Sequence, residues 1–237
     1  MNASRTARER VRAELVSEIK DVARRQLAVD GATGLSLRAV ARELGMVSSA
    51  IYRYFPSRDE LLTALIIEAF NAVGEAVETA DAACPRDQYL DRWMTACRAI
   101  RTWALAHPHE YALIHGSPVP GYVAPQDTVG PAARDAFVLA GILRDADAAG
   151  KLTPRTAGLP PFPASFAEDA ERLRETLFAP LPHDVILMSL MAWTSIYGTI
   201  SFELFGMYNS VIEDPSATFD YNALTQAHLL GLTPGPQ

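Results

Sequence analysis

The sequence predicts an all-α protein with a small N-terminal head and a larger C-terminal helical bundle. Apolar residues recur at helical spacing along most of the 237 residues, and no convincing strand pattern interrupts them. Charge separates the two parts. Residues 1–60 carry 11 basic and 8 acidic side chains (net +3), whereas residues 61–237 carry 10 basic and 20 acidic ones (net −10). We therefore expect one domain over residues 1–60 and a second over residues 61–237.

Composition restricts the class of protein before any motif is considered. About half of the chain (49%) is apolar and 21% is charged, which is typical of globular proteins. Two cysteines without C-x-x-C spacing exclude a disulfide framework and a common zinc site, and we expect neither a metal nor a cofactor. The N-terminus lacks the apolar stretch of a signal peptide, so a cytoplasmic location is expected.

One stretch is long enough to cross a membrane. From Val185 to Tyr208 the only charged residue is Glu203. The stretch also contains several hydroxyl side chains, its flanks are acidic, and no Lys/Arg cluster sets an orientation. These features favour a buried or interface helix, and no membrane partner is predicted.

The head begins with a helix whose apolar residues step by three to five positions from Val11 to Leu27, near the helical period. This helix should end near Gly31, because glycine can adopt the left-handed conformation of a C-terminal cap. Ser36 stands where the N-cap of a second helix belongs, ahead of an apolar stripe that begins at Leu37.

Two further helices complete the head and begin the body. Gly45 ends the second helix, and Ser48 or Ser49 is expected to cap the third. Pro56 ends the third helix because proline has no backbone N–H to donate. Ser57 is expected to cap the fourth helix, whose first turn is acidic as the helix dipole favours.

The sequence of the body, residues 61–237, predicts a series of helices separated by loops that are rich in proline and glycine. The two longest of these loops are residues 116–131 and 152–164. Helices are predicted over residues 89–106, 110–115, 132–149, 165–178, 183–208 and 220–230.

Residues 36–55, SLRAVARELGMVSSAIYRYF, predict a helix-turn-helix. The inner residues Ile51 and Phe55 are apolar and suited to docking on the preceding helix, while the outer ones are small or polar enough to reach base edges. The alternative is a three-helix subdomain whose arginines only solvate its surface. Arginines ahead of the first helix are candidates for phosphate or minor-groove contacts: Arg5, Arg8, Arg10 and Arg12.

The segment GLSLRAVARELGMVSSAIYRYFPSRDELL closely resembles the DNA-binding head of TetR-family transcriptional regulators. The match includes Gly31-Ala32 ahead of Leu35-Ser36 and the A-x-E-L-G-M/V turn over residues 41–47. It continues with the I/L-Y-x-Y/H-F-P-S-K/R-x-E-L-L segment over residues 51–62. Agreement in several parts over about 50 residues is more specific than a bare helix-turn-helix pattern.

The resemblance implies a homodimeric regulator, a repressor rather than an enzyme. Its heads would bind a palindromic operator in double-stranded DNA, and its body would bind an unknown small hydrophobic effector that releases or modulates it. By position, Ser36 and Arg38 would contact the DNA backbone, and Arg53 a phosphate or a base. Tyr52 and Tyr54 would contact phosphate or sugar, and Arg58 would bind a phosphate. Bases would be contacted by Val47, Ser48, Ser49 and Ala50.

The helix over residues 183–208 is apolar on two faces, which suggests burial against its own body and against a partner. One face has the spacing of a coiled-coil seam, and the alternative is a single large core helix. Trp193-x-x-x-Tyr197-Gly198 also resembles a TetR subgroup with a Trp-x-x-x-His-Gly signature, with Tyr197 at the histidine position. The predicted dimer residues are Ile186, Leu190, Ile200, Leu204, Leu224 and His228.

An effector pocket is expected between the long helices of the body, with apolar walls and a few polar points. Its candidates are Met94, Cys97, Trp103, Tyr111, Phe137, Trp193 and Tyr197. Two other classes of function are alternatives to this interpretation. An enzyme could use the cluster of His107, His109 and His115 with Glu110, although its spacing matches no H-E-x-x-H pattern. The second alternative is a protein that binds DNA without sequence preference or one that only sequesters a ligand.

Overall fold

The protein is all-α. A computed structural model describes residues 3–233, with side chains from residue 7 onward, and those residues contain no strand. The head helices are α1 (Ala3–Gly34), α2 (Leu37–Glu43), α3 (Ser48–Ile51) and the start of α4 (Arg58–Ala82). The later helices are α5 (Tyr89–Ala106), α6 (Pro108–His115), α7 (Val129–Ala132), α8 (Arg134–Ala148), α9 (Ala167–Leu173), α10 (His183–Leu204) and α11 (Pro215–Leu230).

The chain forms two compact units. The first comprises the chain up to Phe70 together with His107–Pro131, and the second comprises Asn71–Ala106 and the chain from Ala132 onward. The proposed domain boundary after residue 60 falls within the first unit, because α4 contributes its first turns there. Residues 107–131 join the first unit although they follow it by a long stretch of sequence.

Several predicted helix boundaries are confirmed. Gly31 has a φ of 66° and a non-helical ψ of 179°, so it interrupts α1 where a break was expected. The Ser36 hydroxyl accepts a hydrogen bond from the Ala39 amide and caps α2, and the Ser57 hydroxyl accepts one from the Glu60 amide at 3.1 Å. Local capping chemistry therefore set these boundaries.

Other boundaries differ from the prediction. Helix α11 begins at Pro215, five residues before the predicted start at Asp220, because the Asp214 carboxylate accepts from the Ala217 amide and caps the helix there. Helix α10 ends at Leu204 rather than at Tyr208. Helix α9 continues into a π-helical segment, Arg174–Phe178.

The first unit has one apolar core. Residues of α1, α2, α3 and the first turns of α4 are buried in it, and Leu113, Val119 and Tyr122 of the 107–131 segment pack against it. The Tyr122 hydroxyl and the Thr63 hydroxyl lie 2.9 Å apart, within hydrogen-bonding distance. The 107–131 segment thus covers a side of the core that the helices of the head leave open.

The second unit is built around α5, α8, α10 and α11. Trp93 is buried and its indole N–H donates to the Ala223 carbonyl at 3.1 Å, which joins α5 to α11. Helices α10 and α11 are further joined by the Asn222 amide, which donates to the Ser195 carbonyl and to the Thr199 hydroxyl. Within the described residues, α10 is the only helix long and apolar enough to cross a membrane, and 44% of its apolar window is already buried in the fold.

Candidate DNA-binding surface and ligand cavity

The turn between α2 and α3 has the geometry of a helix-turn-helix. Leu37, Val40 and Ala41 are buried on the inner face of α2. Gly45 has a φ of 65°, a left-handed conformation that glycine adopts without a steric penalty. The Met46 amide then donates to the Ala41 carbonyl at 2.8 Å. Residues 44–47 thus form the turn that joins α2 to α3.

The cap of α3 is not the residue that the sequence predicted. Val47 occupies the N-cap position with extended backbone angles and makes no side-chain capping bond, so the expectation of a Ser48 or Ser49 cap was wrong. Both serines lie inside the first turn instead, with exposed side chains. Their hydroxyls are therefore not committed to α3 as capping groups.

The outer face of α3 and the turn after it carry most of the predicted base-contacting residues. Val47 is 71% exposed, and Tyr52 and Arg53 are exposed as well. Ala50 and Tyr54 are half-buried, and Ile51 lies fully in the core. The predicted readout set is thus brought together on one surface, which we call the reading face: residues 47–50 and 52–54.

Some arginines of the head carry free positive charge, whereas others are paired with carboxylates. Arg38 and Arg53 are exposed, and neither forms an ion pair within the described part of the chain. By contrast, Arg25 pairs with Glu43 at 2.8 Å, and Arg24 pairs with Glu68. Ser36 is half-buried at the start of α2, two residues before Arg38.

Arg58 has a different environment from the one that the family resemblance suggested. Its guanidinium donates to the Leu35 carbonyl at 3.1 Å and to the Ala32 carbonyl at 2.6 Å, and it lies 3.5 Å from the Asp59 carboxylate. These bonds tie the start of α4 to the connection between α1 and α2. A phosphate contact by Arg58 remains a prediction, and it would compete with these bonds.

The N-terminal arginines do not precede the first helix as expected. Helix α1 begins at Ala3, so Arg8 and Arg12 are part of it, because the helical pattern continues further toward the N-terminus than the apolar spacing indicated. The Arg5 side chain lies outside the described residues. The same helix carries Arg10 as an exposed residue.

A cavity of about 230 Å³ lies within the second unit. Its walls are almost entirely apolar and come from α5, the 132–143 stretch, the π-helical segment and α10. Of the predicted effector residues, Trp193 lines it. Ser189 also lines it, but its hydroxyl donates to the Val185 carbonyl at 2.7 Å and is thereby satisfied.

A buried carboxylate next to this cavity was missed by the sequence reasoning. Asp135 is buried, and its Oδ2 accepts from the Trp193 indole N–H at 3.2 Å and from the Tyr197 hydroxyl at 2.7 Å. Tyr197, which replaces the histidine of the subgroup signature, thus supplies a hydrogen-bond donor to α8. The sequence offered no signal for this pairing, because Asp135 and Tyr197 are 62 positions apart.

The neighbouring residue Arg134 contacts a different helix. Its guanidinium donates to the Asn71 carbonyl and side chain and pairs with the Glu78 carboxylate at 2.6 Å. Gly74 permits this approach, because a Cβ there would lie 2.7 Å from the Arg134 Cβ. Two adjacent residues of α8 therefore connect α4 with α10.

The other effector candidates do not line this cavity. Met94, Cys97 and Trp103 are buried in the second unit, while Phe137 is 44% exposed. Burial raises the pKa of the Cys97 thiol, which indicates a packed core residue rather than a reactive one. The remaining candidate, Tyr111, is buried in the first unit.

A second, larger cavity of about 500 Å³ lies between the 156–163 loop, α10 and α11. Its lining includes Met188, Met191 and Leu229. No effector candidate predicted from the sequence lines it.

The predicted dimer face requires a correction. Ile186 and Ile200 are 0% exposed in the single chain, so their side chains have no surface to offer a partner. Leu190 is exposed, and Leu204, Leu224 and His228 are half-buried. The exposed apolar residues of α10 and α11, which we call the apolar face, are Leu190, Met191, Phe202, Tyr221 and Leu229. An all-round apolar helix does not reveal from sequence which of its faces packs inward.

The histidine cluster is dispersed in the structure. His107 and His109 are exposed, whereas His115 packs against Phe70 and Tyr111 with ring centroids 6.0 and 5.0 Å away. Burial lowers the pKa of His115 to about 4. Over the residues that the structure describes, no group of three or more His, Cys, Asp or Glu side chains is arranged to hold a metal ion.

Comparison with known proteins defines the class to which this fold and this surface belong. Residues 19–65 match the profile of bacterial regulatory proteins of the tetR family, and residues 93–225 match a tetracyclin repressor-like C-terminal domain. The HTH-type transcriptional regulator Rv1816 of Mycobacterium tuberculosis is 42% identical over 224 residues, covering 91% of this chain and 90% of the relative. The chain belongs to the TetR family and is a DNA-binding transcriptional regulator.

Solved structures support the same assignment. The regulatory protein SCO4313 is 32% identical, with a TM-score of 0.76 over 93% of this chain and 98% of that one. A protein of unknown function from Rhodococcus sp. RHA1 is 25% identical, with a TM-score of 0.69 over 92% of this chain and 95% of that one. The predicted all-α fold and family membership are therefore confirmed.

Proposed function

We propose that the protein is a repressor that binds a palindromic operator as a homodimer and is released or modulated by a small hydrophobic molecule. The observation that carries the proposal is the reading face, where exposed small and hydroxyl side chains adjoin arginines without acidic partners. Small side chains allow α3 to approach base edges closely, and the arginines would neutralise flanking phosphates. With two serine hydroxyls and the Val47 methyls at the helix start, readout would rely on hydroxyl and methyl contacts.

The operator is tested by selection from randomised duplex DNA with the purified protein. We expect the enriched sequences to contain two inverted half-sites whose centres are about one helical turn or slightly more apart. A gel-shift competition at physiological salt then compares the enriched duplex with a shuffled duplex of the same composition. Equal competition by the two duplexes would refute specific readout and would favour the alternative of DNA binding without sequence preference.

Dimerisation through the apolar face is supported by its exposure. Met191 is 63% exposed and lies beside other large apolar side chains of α10 and α11, although isolated exposed apolar residues are usual in single chains. Sedimentation velocity is the measurement. We expect Met191→Glu to shift the protein from dimer to monomer, whereas Val123→Glu, at an exposed apolar residue of the first unit, should leave the dimer intact. A monomeric wild-type protein would refute the proposal.

The 230 Å³ cavity is our proposed effector site. It is smaller than the usual range for drug-sized ligands, so a compact molecule is expected. Its apolar walls and its satisfied hydroxyl provide little recognition for a charged group, which supports a neutral hydrophobic ligand. The larger cavity is a weaker candidate because Met191 and Leu229 belong both to its lining and to the apolar face, so a partner would alter it.

Ligand entry is tested with N-phenyl-naphthylamine, a neutral dye that fluoresces in apolar surroundings. We expect saturable binding that Ala136→Phe abolishes, because Ala136 lines the smaller cavity. Leu159→Phe is the matched control, since Leu159 lines the larger one. Loss of dye binding in the control alone would place the ligand in the larger cavity.

A further inference from the structure

The N-terminal half of α1 makes a contact with the reading face that the family assignment does not explain. The Arg12 guanidinium lies over the Tyr54 ring, 5.1 Å from its centroid. The same group donates to the Arg53 carbonyl at 3.3 Å. One arginine of α1 therefore contacts two consecutive residues of the reading face.

These contacts add side-chain bonds to a turn whose amides already bond backward along the chain: the Arg53 amide donates to the Ala50 carbonyl at 3.2 Å and the Tyr54 amide to the Ile51 carbonyl at 2.9 Å. Helix α3 contains only four residues, and the turn that follows it carries Tyr52, Arg53 and Tyr54. The last carbonyls of a helix have no partner within it, and the Arg53 carbonyl lies just beyond that end. The Arg12 N–H satisfies that carbonyl, while its planar guanidinium stacks on an aromatic face.

We propose that Arg12 is a positioning residue for operator recognition: it fixes the Tyr54 ring and the Arg53 backbone, and through them the direction in which the Arg53 side chain leaves the surface. This inference rests on the proposed readout of an operator by the reading face. It differs from the phosphate contact that the sequence suggested for Arg12. A phosphate ligand needs only a positive charge, whereas this role needs the planar fork of arginine.

The two roles predict opposite results for Arg12→Lys. Lysine keeps the charge but loses the stacked, forked geometry. If Arg12 positions the reading face, Arg12→Lys and Arg12→Ala should both lower the ratio of affinities for the selected duplex and for shuffled DNA, by about fivefold, the scale of one exposed cation–π contact with one hydrogen bond. The slope of log affinity against log salt for shuffled DNA should stay unchanged.

If Arg12 binds a phosphate, the outcome is different in both measurements. Arg12→Lys would bind like the wild type, and Arg12→Ala would weaken both duplexes equally and reduce the salt slope by about 0.9. Arg8→Ala is the matched control for charge, because Arg8 lies one helical turn earlier on α1 and is exposed. We expect it to change the two affinities by the same factor, which leaves their ratio intact.

A double-mutant cycle tests whether Arg12 acts through the ring. In a Tyr54→Leu background, Arg12→Lys should have less effect on the affinity ratio than it has in the wild type. Thermal unfolding by circular dichroism shows whether each variant keeps its fold. If the wild type prefers the selected duplex and Arg12→Lys retains that full preference, the inference is wrong while the proposed function stands; if the wild type has no preference, the proposed function itself fails.

Discussion

The two compact units differ in how their arginines are paired. In the second unit, Arg92, Arg101 and Arg134 each form close ion pairs with carboxylates, and Arg92 is almost fully buried. In the first unit, Arg38 and Arg53 are exposed and have no acidic partner within the described part of the chain. Arginines of the second unit therefore hold its helices together, whereas in the first unit only some arginines are paired, such as Arg24 and Arg25, and others leave positive charge available.

This difference explains how a chain of net charge −7 can bind DNA. Acidic residues of the body offset its own arginines and leave an excess of negative charge, which repels phosphate. The head keeps some arginines unpaired among the described residues, including Arg53 of the reading face. The comparison predicts that charge changes in the body alter stability, whereas charge changes at the reading face alter DNA binding.

The largest effect is expected for Arg92→Ala. Arg92 is 2% exposed and pairs with Asp81 and Asp145 at 2.8 Å each. Removing it leaves the buried Asp81 carboxylate with Arg86 as its remaining ion-pair partner, so the loss of unfolding free energy is expected at the lower end of the range of about 3–5 kcal/mol for breaking a buried pair. Denaturant unfolding measures this loss. Arg98→Ala, which breaks an exposed pair with Asp220, is the control and should cost at most about 1 kcal/mol.

The next effect is a pH dependence that arises in the first unit. Burial lowers the pKa of His115 to about 4 from 6.5, so the unfolded chain binds the proton first as the pH falls. The stability contribution is present above pH 6.5 and is lost as the pH falls through 4. The loss is on the order of 3 kcal/mol.

Denaturant unfolding at neutral pH and near pH 4 tests this prediction against His115→Gln, which cannot titrate. The variant should lose less stability over the same interval than the wild type. Parallel pH profiles for the two proteins would show that His115 is not the responsible group.

At the reading face we expect binding to change without stability. Arg53→Ala should weaken operator binding by about 1–3 kcal/mol and relax sequence preference, while its melting temperature stays near that of the wild type. Arg155→Ala removes the same charge from an exposed residue of the second unit and should leave DNA affinity unchanged. A large fall in affinity for the Arg155 variant would contradict the division between the two units.

The smallest effect concerns the helix cap of α2. Ser36→Ala removes the acceptor for the Ala39 amide and should cost about 1 kcal/mol of unfolding free energy. Ser48→Ala is the matched control, because Val47 rather than Ser48 holds the N-cap position of α3. A comparable loss for Ser48→Ala would mean that this hydroxyl stabilises the head in another way.

Much of the fold could be predicted from the sequence because its determinants are local. The caps at Ser36 and Ser57 and the breaks at Gly31 and Gly45 each depend on a few neighbouring residues. The reading face was predicted because the helix-turn-helix motif spans about 20 consecutive positions. Where local chemistry was misread, as at Val47 or Asp214, the error was limited to a helix boundary.

What only the tertiary structure decided are the contacts between distant residues and the choice of a buried face. Arg12 reaches Arg53 across 41 positions, Arg58 reaches Ala32 across 26, and Asp135 accepts from Tyr197 across 62. No periodic pattern encodes such pairs, because their partners are set by how the helices pack. For the same reason, the sequence alone showed that α10 is apolar all round, while packing against the rest of its own unit determined that Ile186 and Ile200 face inward and Met191 faces outward.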